Sequence, residues 1–348
     1  MKKIIVNASV KYEVLIGENL LTSSAERIKA VSNNGAKFAV ITDKTVNSIY
    51  AEKFSSALKD AGLSVVKYVV KGGEKSKSGK DYLKILEFLA EEKFTRSDCL
   101  IALGGGVVGD LTGFVAATYL RGIDFIQVPT TLLAFADSSV GGKTAINLKS
   151  GKNLVGAFYQ PKLVLCDVDL INTLSASDYA SGMAEIIKYG MLFDNEMLKL
   201  LDSGMDGKAE EIIWRAVDFK RKVVEEDERD NGSRQLLNFG HTLGHAIEIK
   251  SKFKIPHGQA VAIGMKIITE RALAKGLCKE EVLIVLINLL KKYGLYTEKA
   301  FDVRKLFEIT LIDKKRKSGD ITVVLPTSLG KCELKKMSIN EWKEFLLN

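Results

Sequence analysis

Between Lys37 and about Asp167, short runs of β-branched and other apolar residues alternate with longer segments whose apolar positions recur at helical spacing. Phe38 to Thr42 predicts a strand, Val46 to Ala61 a helix, Val65 to Val70 a strand and Lys80 to Lys93 a helix. Cys99 to Leu103 is apolar without alternation, as in a strand covered on both faces, and Phe125 to Pro129 and Leu163 to Cys166 supply two more strands. Such alternation predicts a mostly parallel, Rossmann-like sheet with helices on both faces. Ile4 to Ile16 reads as a pair of edge strands.

After about Ser175 the strand signal fades and helical periodicity takes over until Asp313. Ala184 to Leu192, Ala209 to Glu228, His241 to Lys250, Gly258 to Lys275 and Glu280 to Tyr293 are the predicted helices. A strand pair, Ile321 to Leu325 and Lys331 to Leu334, then precedes a terminal helix. The expected architecture is α/β plus all-α, with residues 1–175 as the sheet domain and 176–348 as a mainly helical domain. A length of 348 residues suits two domains at roughly 150 residues each.

Charge adds a preference for anions. Lys and Arg number 51 against 43 Asp and Glu, a net charge of +8. That surplus steers either a nucleic acid or a small phosphate ester. The basic residues are interspersed with acids and no recognised nucleic-acid motif occurs, which argues against the first. No apolar stretch approaches the roughly 20 residues that span a bilayer; Val282 to Leu290 is too short and runs into Lys291 and Lys292. Asn7 and Lys11 interrupt the apolar amino terminus before a signal-peptide core forms. Cys99, Cys166, Cys278 and Cys332 form no CxxC pair and read as free thiols of a cytoplasmic protein.

Three segments carry candidate chemistry. Gly104, Gly106 and Gly109 fit GxGxxG between a strand and a helix, where glycines admit a pyrophosphate to the helix amino terminus. The same glycines would also serve tight strand-to-helix packing. Asp137 to Thr144 ends in Gly-Gly-Lys-Thr, but Asp137 stands where a P-loop needs its first glycine. A Gly-Gly-Lys loop can still present amides and an ammonium to an anion, and a solvated hairpin turn explains it equally. The three histidines, His241, His245 and His257, all fall in one short window. His241 and His245 share a helical face, so two histidines plus a carboxylate could hold zinc; a hydrogen-bonded buried pair is the plainer alternative.

Weaker signals surround these. Glu185 and Lys188 lie at i and i+3, by default an exposed ion pair. In Ala209 to Glu228 the apolar row Ile213, Val217, Val224 also includes Lys220 and leads to Asp227, so a lysine sits on the inward stripe. Lys220 and Arg234 could form an anion pocket, or Lys220 could snorkel outward. Asp313 to Lys317 reads as a solvated basic run.

Taken together the motifs resemble the 3-dehydroquinate synthase family. The matching strings are Gly73-Glu74 through Lys77, Gly104 to Asp110, Leu120 to Ile123, Pro129 to Leu133, Asp137 to Thr144, Glu185 to Gly190, Arg234 to Glu248 and His257 to Met265. They span essentially the whole chain in the family's order. The resemblance implies zinc or cobalt held by Glu185, His241 and His257, with His245 turned to substrate instead of metal. It implies NAD along Glu74, Lys77, Gly105, Gly106, Val107, Val108, Gly109, Asp110, Thr130, Thr131, Lys143, Lys152, Leu170, Ile171, Asn172 and Thr173. It implies catalytic or substrate contacts from Arg121, Asp137, Lys143, Lys188, Lys220, Arg234, Asn238, His245 and one of Lys314 or Lys315.

The implied substrate is a sugar phosphate, 3-deoxy-D-arabino-heptulosonate 7-phosphate. It is converted to 3-dehydroquinate and phosphate by transient oxidation, elimination, re-reduction and aldol closure. A homodimer is implied, and no nucleic-acid or membrane partner. Gly72 stands where an acidic residue is common, and Phe135-Ala136 where Gln-Val is usual; neither removes a group with an obvious chemical task. Another sugar-phosphate cyclase or a metal-dependent polyol dehydrogenase of the same superfamily is the alternative, and the Arg234 and Asn238 pair favours a carboxylate-bearing substrate.

Overall fold

The computed structural model describes residues 1–296, 298, 301–314 and 319–348. The chain forms two compact units, one of Met1–Leu174 with Lys220–Arg229, the other of Ser175–Phe219 with Asp230–Asn348. Lys220–Arg229 thus packs in the first unit although it follows the boundary expected at residue 175.

The first unit opens with β1 (Lys2–Asn7), β2 (Lys11–Gly17), α1 (Leu20–Ser23), α2 (Ala25–Val31) and β3 (Lys37–Asp43). Asp43 caps α3 (Lys44–Val46), which runs through a π turn at Asn47–Ala51 into α4 (Glu52–Asp60). Then come β4 (Ser64–Val70), α5 (Gly79–Glu91), β5 (Cys99–Gly104), α6 (Gly106–Thr118) and β6 (Asp124–Pro129). β7 (Lys143–Leu148), β8 (Gly151–Phe158) and β9 (Leu163–Asp167) complete it.

Seven strands form one sheet in the order β1-β2-β9-β6-β5-β3-β4. All neighbours are parallel except β1 and β2. Every residue of β5 is buried, which explains its unbroken apolar run in the sequence. Ile85 and Leu89 of α5 and Leu111 and Val115 of α6 pack with Ala39, Leu100 and Phe125 of the sheet. The mostly parallel Rossmann-like fold is therefore as expected.

Two details differ. β2 is not an edge strand, because it pairs in parallel with β9; of the two, β1 alone lies at an edge. Gly141 and Gly142 are not a solvated hairpin turn: both are buried, both have positive φ, and they lead into β7. The hairpin they introduce, β7 with β8, turns at Lys149 and Ser150 and packs on α6.

The second unit contains α7 (Ala176–Phe193), α8 (Asn195–Ser203) and most of α9 (Ala209–Glu226), followed by α10 (His241–Lys250), α11 (His257–Ala274), α12 (Glu280–Lys292) and α13 (Val303–Lys314). β10 (Asp320–Ser328) and β11 (Lys331–Ser338) form a hairpin before α14 (Ile339–Leu347). Ser175 caps α7 through the Asp178 amide, and Ser338 with Glu341 forms a capping box on α14. α12 buries Val282, Leu286, Leu289 and Leu290 and ends on Lys291 and Lys292. Among the described residues, no helix is long and apolar enough to cross a membrane.

Candidate metal and nucleotide sites

In the first unit the glycine-rich turn divides its work. A Cβ at Gly104 would lie 2.6 Å from Val108, and one at Gly109 2.6 Å from Gln127 Oε1, so these two glycines let strand and helix pack. Gly105 and Gly106 lie at the mouth of the turn. Gly105 is the cap residue of α6 and no side chain caps that helix, which leaves its first amides available to an anion. A Cβ at Gly105 would come 3.0 Å from Thr131, and the neighbouring Thr130 hydroxyl is buried without a partner.

A polar network flanks the same turn. The buried Lys77 ammonium pairs with Asp110 on α6 and donates to Asn153 Oδ1. Asn147 Nδ2 donates to Glu74 Oε1 at 2.6 Å, and Asn147 Oδ1 accepts from the Asn153 amide at 2.9 Å. Burial pushes the Asp110 carboxyl up while the Lys77 ammonium opposes that shift. Asn147 and Asn153 escaped sequence reasoning, since both lie on a hairpin whose polar, glycine-broken pattern gives no strand signal. Lys152 adjoins Asn153 on β8, and Lys143 opens β7 with an exposed side chain. Leu170, Ile171, Asn172 and Thr173 belong to a 3-10 turn at Val168–Thr173, with Thr173 hydrogen-bonded to the Tyr50 hydroxyl.

Asp137 lies within a π turn at Ala134–Ser138 and is gripped by Lys220, whose ammonium donates to the Asp137 carbonyl at 2.6 Å and to its carboxylate. Lys220 is thus buried and ion-paired, as its place on the apolar stripe suggested. Arg121 is exposed, in a turn where Leu120 and Arg121 both have left-handed φ, 50° and 70°. Such conformations cost non-glycine residues energy.

Among the described residues, the groups of side chains that could ligate a metal lie in the second unit. Glu185 is on α7, His241 opens α10 and His257 opens α11. Glu185 Oε1 lies 3.4 Å from Nε2 of both His241 and His257, and one ligand atom from each residue falls within 4.8 Å of the others. Glu185 is fully buried, and neither of its oxygens has a partner in hydrogen-bond geometry, although Lys188 pairs with it. Burial alone would raise the Glu185 carboxyl, but Lys188 and then His241 hold it well below the usual carboxylate range. An N,N,O donor set around an unsatisfied buried carboxylate fits zinc or cobalt.

Glycine contacts bring these helices close enough. A Cβ at Gly258 would lie 2.4 Å from Ser181 Cα, one turn before Glu185 on α7, and the Gly258 amide donates to Ser181 Oγ at 3.0 Å. The far nitrogens of the two histidines are also engaged. His241 Nδ1 faces the Phe239 carbonyl at 3.1 Å, and His257 Nδ1 faces Glu248 Oε2 at 3.4 Å. Burial disfavours the charged form of His257, yet the neighbouring Glu185 and Glu248 carboxylates outweigh it and push the imidazole up to about 9.

The Glu185–Lys188 pair is not the exposed one its spacing suggested: the two side chains are 0% and 1% accessible. His245 does not join the Glu185 cluster; it is exposed, its ring edge-on to His241 at 5.6 Å, and it gathers with Glu248 and His257 in a second donor group. Arg234 is buried on the 3-10 turn Ser233–Asn238, and Asn238 at the end of that turn is exposed. Lys314 is the last residue of α13; its side chain, and the whole of Lys315, lie outside the described residues.

Comparison with known proteins places these sites in context. The family models for the 3-dehydroquinate synthase N-terminal and C-terminal regions match residues 67–181 and 182–316. A 3-dehydroquinate synthase of Clostridium acetobutylicum is 43% identical over 342 residues, and one of Streptococcus mutans 44% over 343; each match covers 96% of this chain and 96% of the relative. Among solved structures, the 2-epi-5-epi-valiolone synthase of Streptomyces hygroscopicus, with NAD+ and Zn2+ bound, aligns with TM-score 0.87 at 24% identity over 99% of this chain and 98% of that one. A 2-deoxy-scyllo-inosose synthase complexed with carbaglucose-6-phosphate, NAD+ and Co2+ gives 0.82 at 24% identity over 99% of both chains. At that identity the two structures establish the fold alone.

Proposed function

The chain belongs to the 3-dehydroquinate synthase family, and from that premise we propose that it converts 3-deoxy-D-arabino-heptulosonate 7-phosphate to 3-dehydroquinate and phosphate, as an NAD- and divalent-metal-dependent phosphorus–oxygen lyase. The observation that carries this reading is the convergence of Glu185, His241 and His257 on one point, with both Glu185 oxygens buried and lacking hydrogen-bond geometry. Glu185, His241 and His257 would hold zinc or cobalt, which would lower the cost of deprotonating a substrate hydroxyl, and bound NAD would supply reversible hydride chemistry.

The chain's own residues have separable tasks. The uncapped start of α6 and the Thr130 hydroxyl support nucleotide binding by residues 1–175, with Glu74, Lys77, Asp110, Lys143, Lys152 and the 170–173 turn as further contacts. Metal and substrate binding are assigned to 176–348, with Asp137 supplying a further substrate contact. Lys143, Lys188, Lys220 and Arg234, with Arg121 and one of Lys314 or Lys315, supply the cations for a substrate bearing both carboxylate and phosphate. Asn238 hydrogen-bonds the substrate. His245, exposed one turn beyond His241, and Asp137 are the groups assigned to proton transfer. We also assign the chain to the cytoplasm as a homodimer; its four buried free thiols agree with a reducing compartment.

The test is phosphate release from the heptulosonate phosphate, before and after chelation. Expected is release that stops on chelation, returns with zinc or cobalt, and leaves no net NADH. Net NADH formed from a polyol without phosphate release would move the chain to the dehydrogenase branch.

A further inference from the structure

Glu248 is a buried carboxylate that the proposed chemistry leaves without a task. It is only 4% exposed, on the helix that also carries His241. A carboxylate taken that far from water is costly unless something holds it there. Its Oε2 lies 3.4 Å from His257 Nδ1, while the Nε2 of the same ring lies 3.4 Å from Glu185 Oε1. One imidazole therefore stands between two carboxylates, one on each nitrogen.

We propose that Glu248 is a positioning residue of the metal centre, fixing His257 through Nδ1 so that Nε2 presents its lone pair toward the metal position shared with Glu185 and His241. The inference rests on the reading that these three residues bind a metal. An acceptor at Nδ1 selects the tautomer protonated there and raises the donor strength of Nε2.

The two histidine ligands differ in how much they need this help. His241 has a short contact from Nδ1 to the Phe239 carbonyl, two residues back in its own chain segment, and its side chain is 13% exposed. His257, like His241, is the first residue of its helix, but its Nδ1 contact is to a side chain of another helix and its own side chain is 34% exposed. Its orientation therefore depends on a partner from another helix, and Glu248 of α10 is the group in place. The charge of that partner also matters, since a carboxylate polarises the ring more than a carbonyl does.

The competing role for Glu248 is that of a direct ligand. His245, Glu248 and His257 also gather within ligand distance, and a second ion there would use His257 Nδ1. Stoichiometry separates the two roles.

The experiment is zinc titration of the metal-free full-length chain against a chromogenic chelator, for wild type, Glu248→Gln and Glu248→Ala. Melting of each metal-free form is recorded in parallel. Expected is one zinc per wild-type chain, affinity lower by about 10-fold or more in Glu248→Gln and up to about 100-fold in Glu248→Ala, and unchanged metal-free melting. Affinity equal to wild type in both variants overturns the proposal while leaving the metal site standing. Two zinc ions in wild type and one in Glu248→Gln overturns it by making Glu248 a ligand. A wild type that binds no zinc removes both the proposal and the metal reading beneath it. Should Glu248→Gln melt lower without metal, the visible spectrum of the cobalt(II) form decides: shifted d–d bands support positioning of a ligand, and superimposable bands overturn it.

Discussion

Gly264 in α11 rests directly on the carbonyl of Gly240, the residue that caps the start of α10; a Cβ built at 264 would lie 2.1 Å from that oxygen. Gly240 itself has φ of 78°, and a Cβ there would meet Met265 Cγ at 2.5 Å and the Val261 carbonyl at 2.7 Å. Gly244, one turn further along α10, would bring a Cβ 3.1 Å from Val261 Cα. The two helices that begin with His241 and His257 therefore meet backbone to backbone, and no side chain can be inserted between them without changing the distance between the two imidazoles.

Gly264→Ala is the cleanest probe of this contact. In a free helix the exchange stabilises by about 1 kcal/mol through backbone entropy. Here the new methyl meets a backbone oxygen that cannot rotate away, and overpacking typically costs about 1–3 kcal/mol or more. The clash should win. Expected is a lower unfolding free energy in urea together with weaker zinc binding, and a milder loss for Gly244→Ala, whose contact is less severe. A Gly264→Ala chain as stable as wild type would show that the helices can separate at no cost.

Lys77 and Asp110 offer a second test, in the nucleotide region. The lysine is 6% and the aspartate 20% exposed, and the pair links the segment after β4 to α6. Removing one partner of a buried pair leaves the other charge uncompensated, at a cost of about 3 kcal/mol. Lys77→Met should therefore destabilise the chain by an amount of that order and weaken NAD binding. Because the isolated Asp110 charge is the source of the cost, Lys77→Met with Asp110→Asn should recover part of the stability but not the NAD affinity. Urea unfolding and calorimetric NAD titration of both variants measure the two effects; additive losses of stability would refute the coupling.

The sequence made the sheet legible wherever burial is uniform. β5 is buried along its whole length, and its apolar run announced it. β7 and β8 were missed because their strands mix lysines, asparagines and glycines, and what fixes them is packing against α6, which no local period records. Helical spacing favoured His241 with His245, since it reveals only residues on one face of one helix. The observed cluster draws Glu185, His241 and His257 from three helices, and only the family resemblance named that set in advance. For Glu185 and Lys188 the useful signal was the run around them: Met183, Ala184, Ile186, Ile187 and Tyr189 are all buried, so this stretch of helix is covered on every side. Glu248 had the same kind of signal in Ala246 and Ile247 beside it, but spacing could not assign it a partner on another helix.

Glu228 provides a pH-dependent prediction well away from the metal ligands. Its Oε1 accepts hydrogen bonds from Ser9 Oγ at 2.6 Å and Gln160 Nε2 at 2.7 Å, and its Oε2 accepts from the Ser9 amide at 2.9 Å. The carboxylate thereby ties the β1–β2 turn to the end of the first unit's returning helical segment. Burial pushes this carboxyl up, but the bonds from Ser9 and Gln160 more than offset it, so it lies below the ordinary glutamate value. A carboxyl lowered in the folded state contributes stability that is fully present above its unfolded pKa of about 4.3 and is lost as pH falls through the folded value. Solvent screens a group that is only partly covered, so the contribution should be about 1 kcal/mol. Glu228→Gln should accordingly be less stable than wild type by about that amount in urea unfolding near pH 7. The gap should begin to narrow below the unfolded pKa of about 4.3 and close once the pH has fallen through the lower folded-state value, where the wild-type carboxyl is itself neutral. A gap that stays constant from neutral to acid pH would mean that the charge of Glu228 contributes nothing and that only its shape matters.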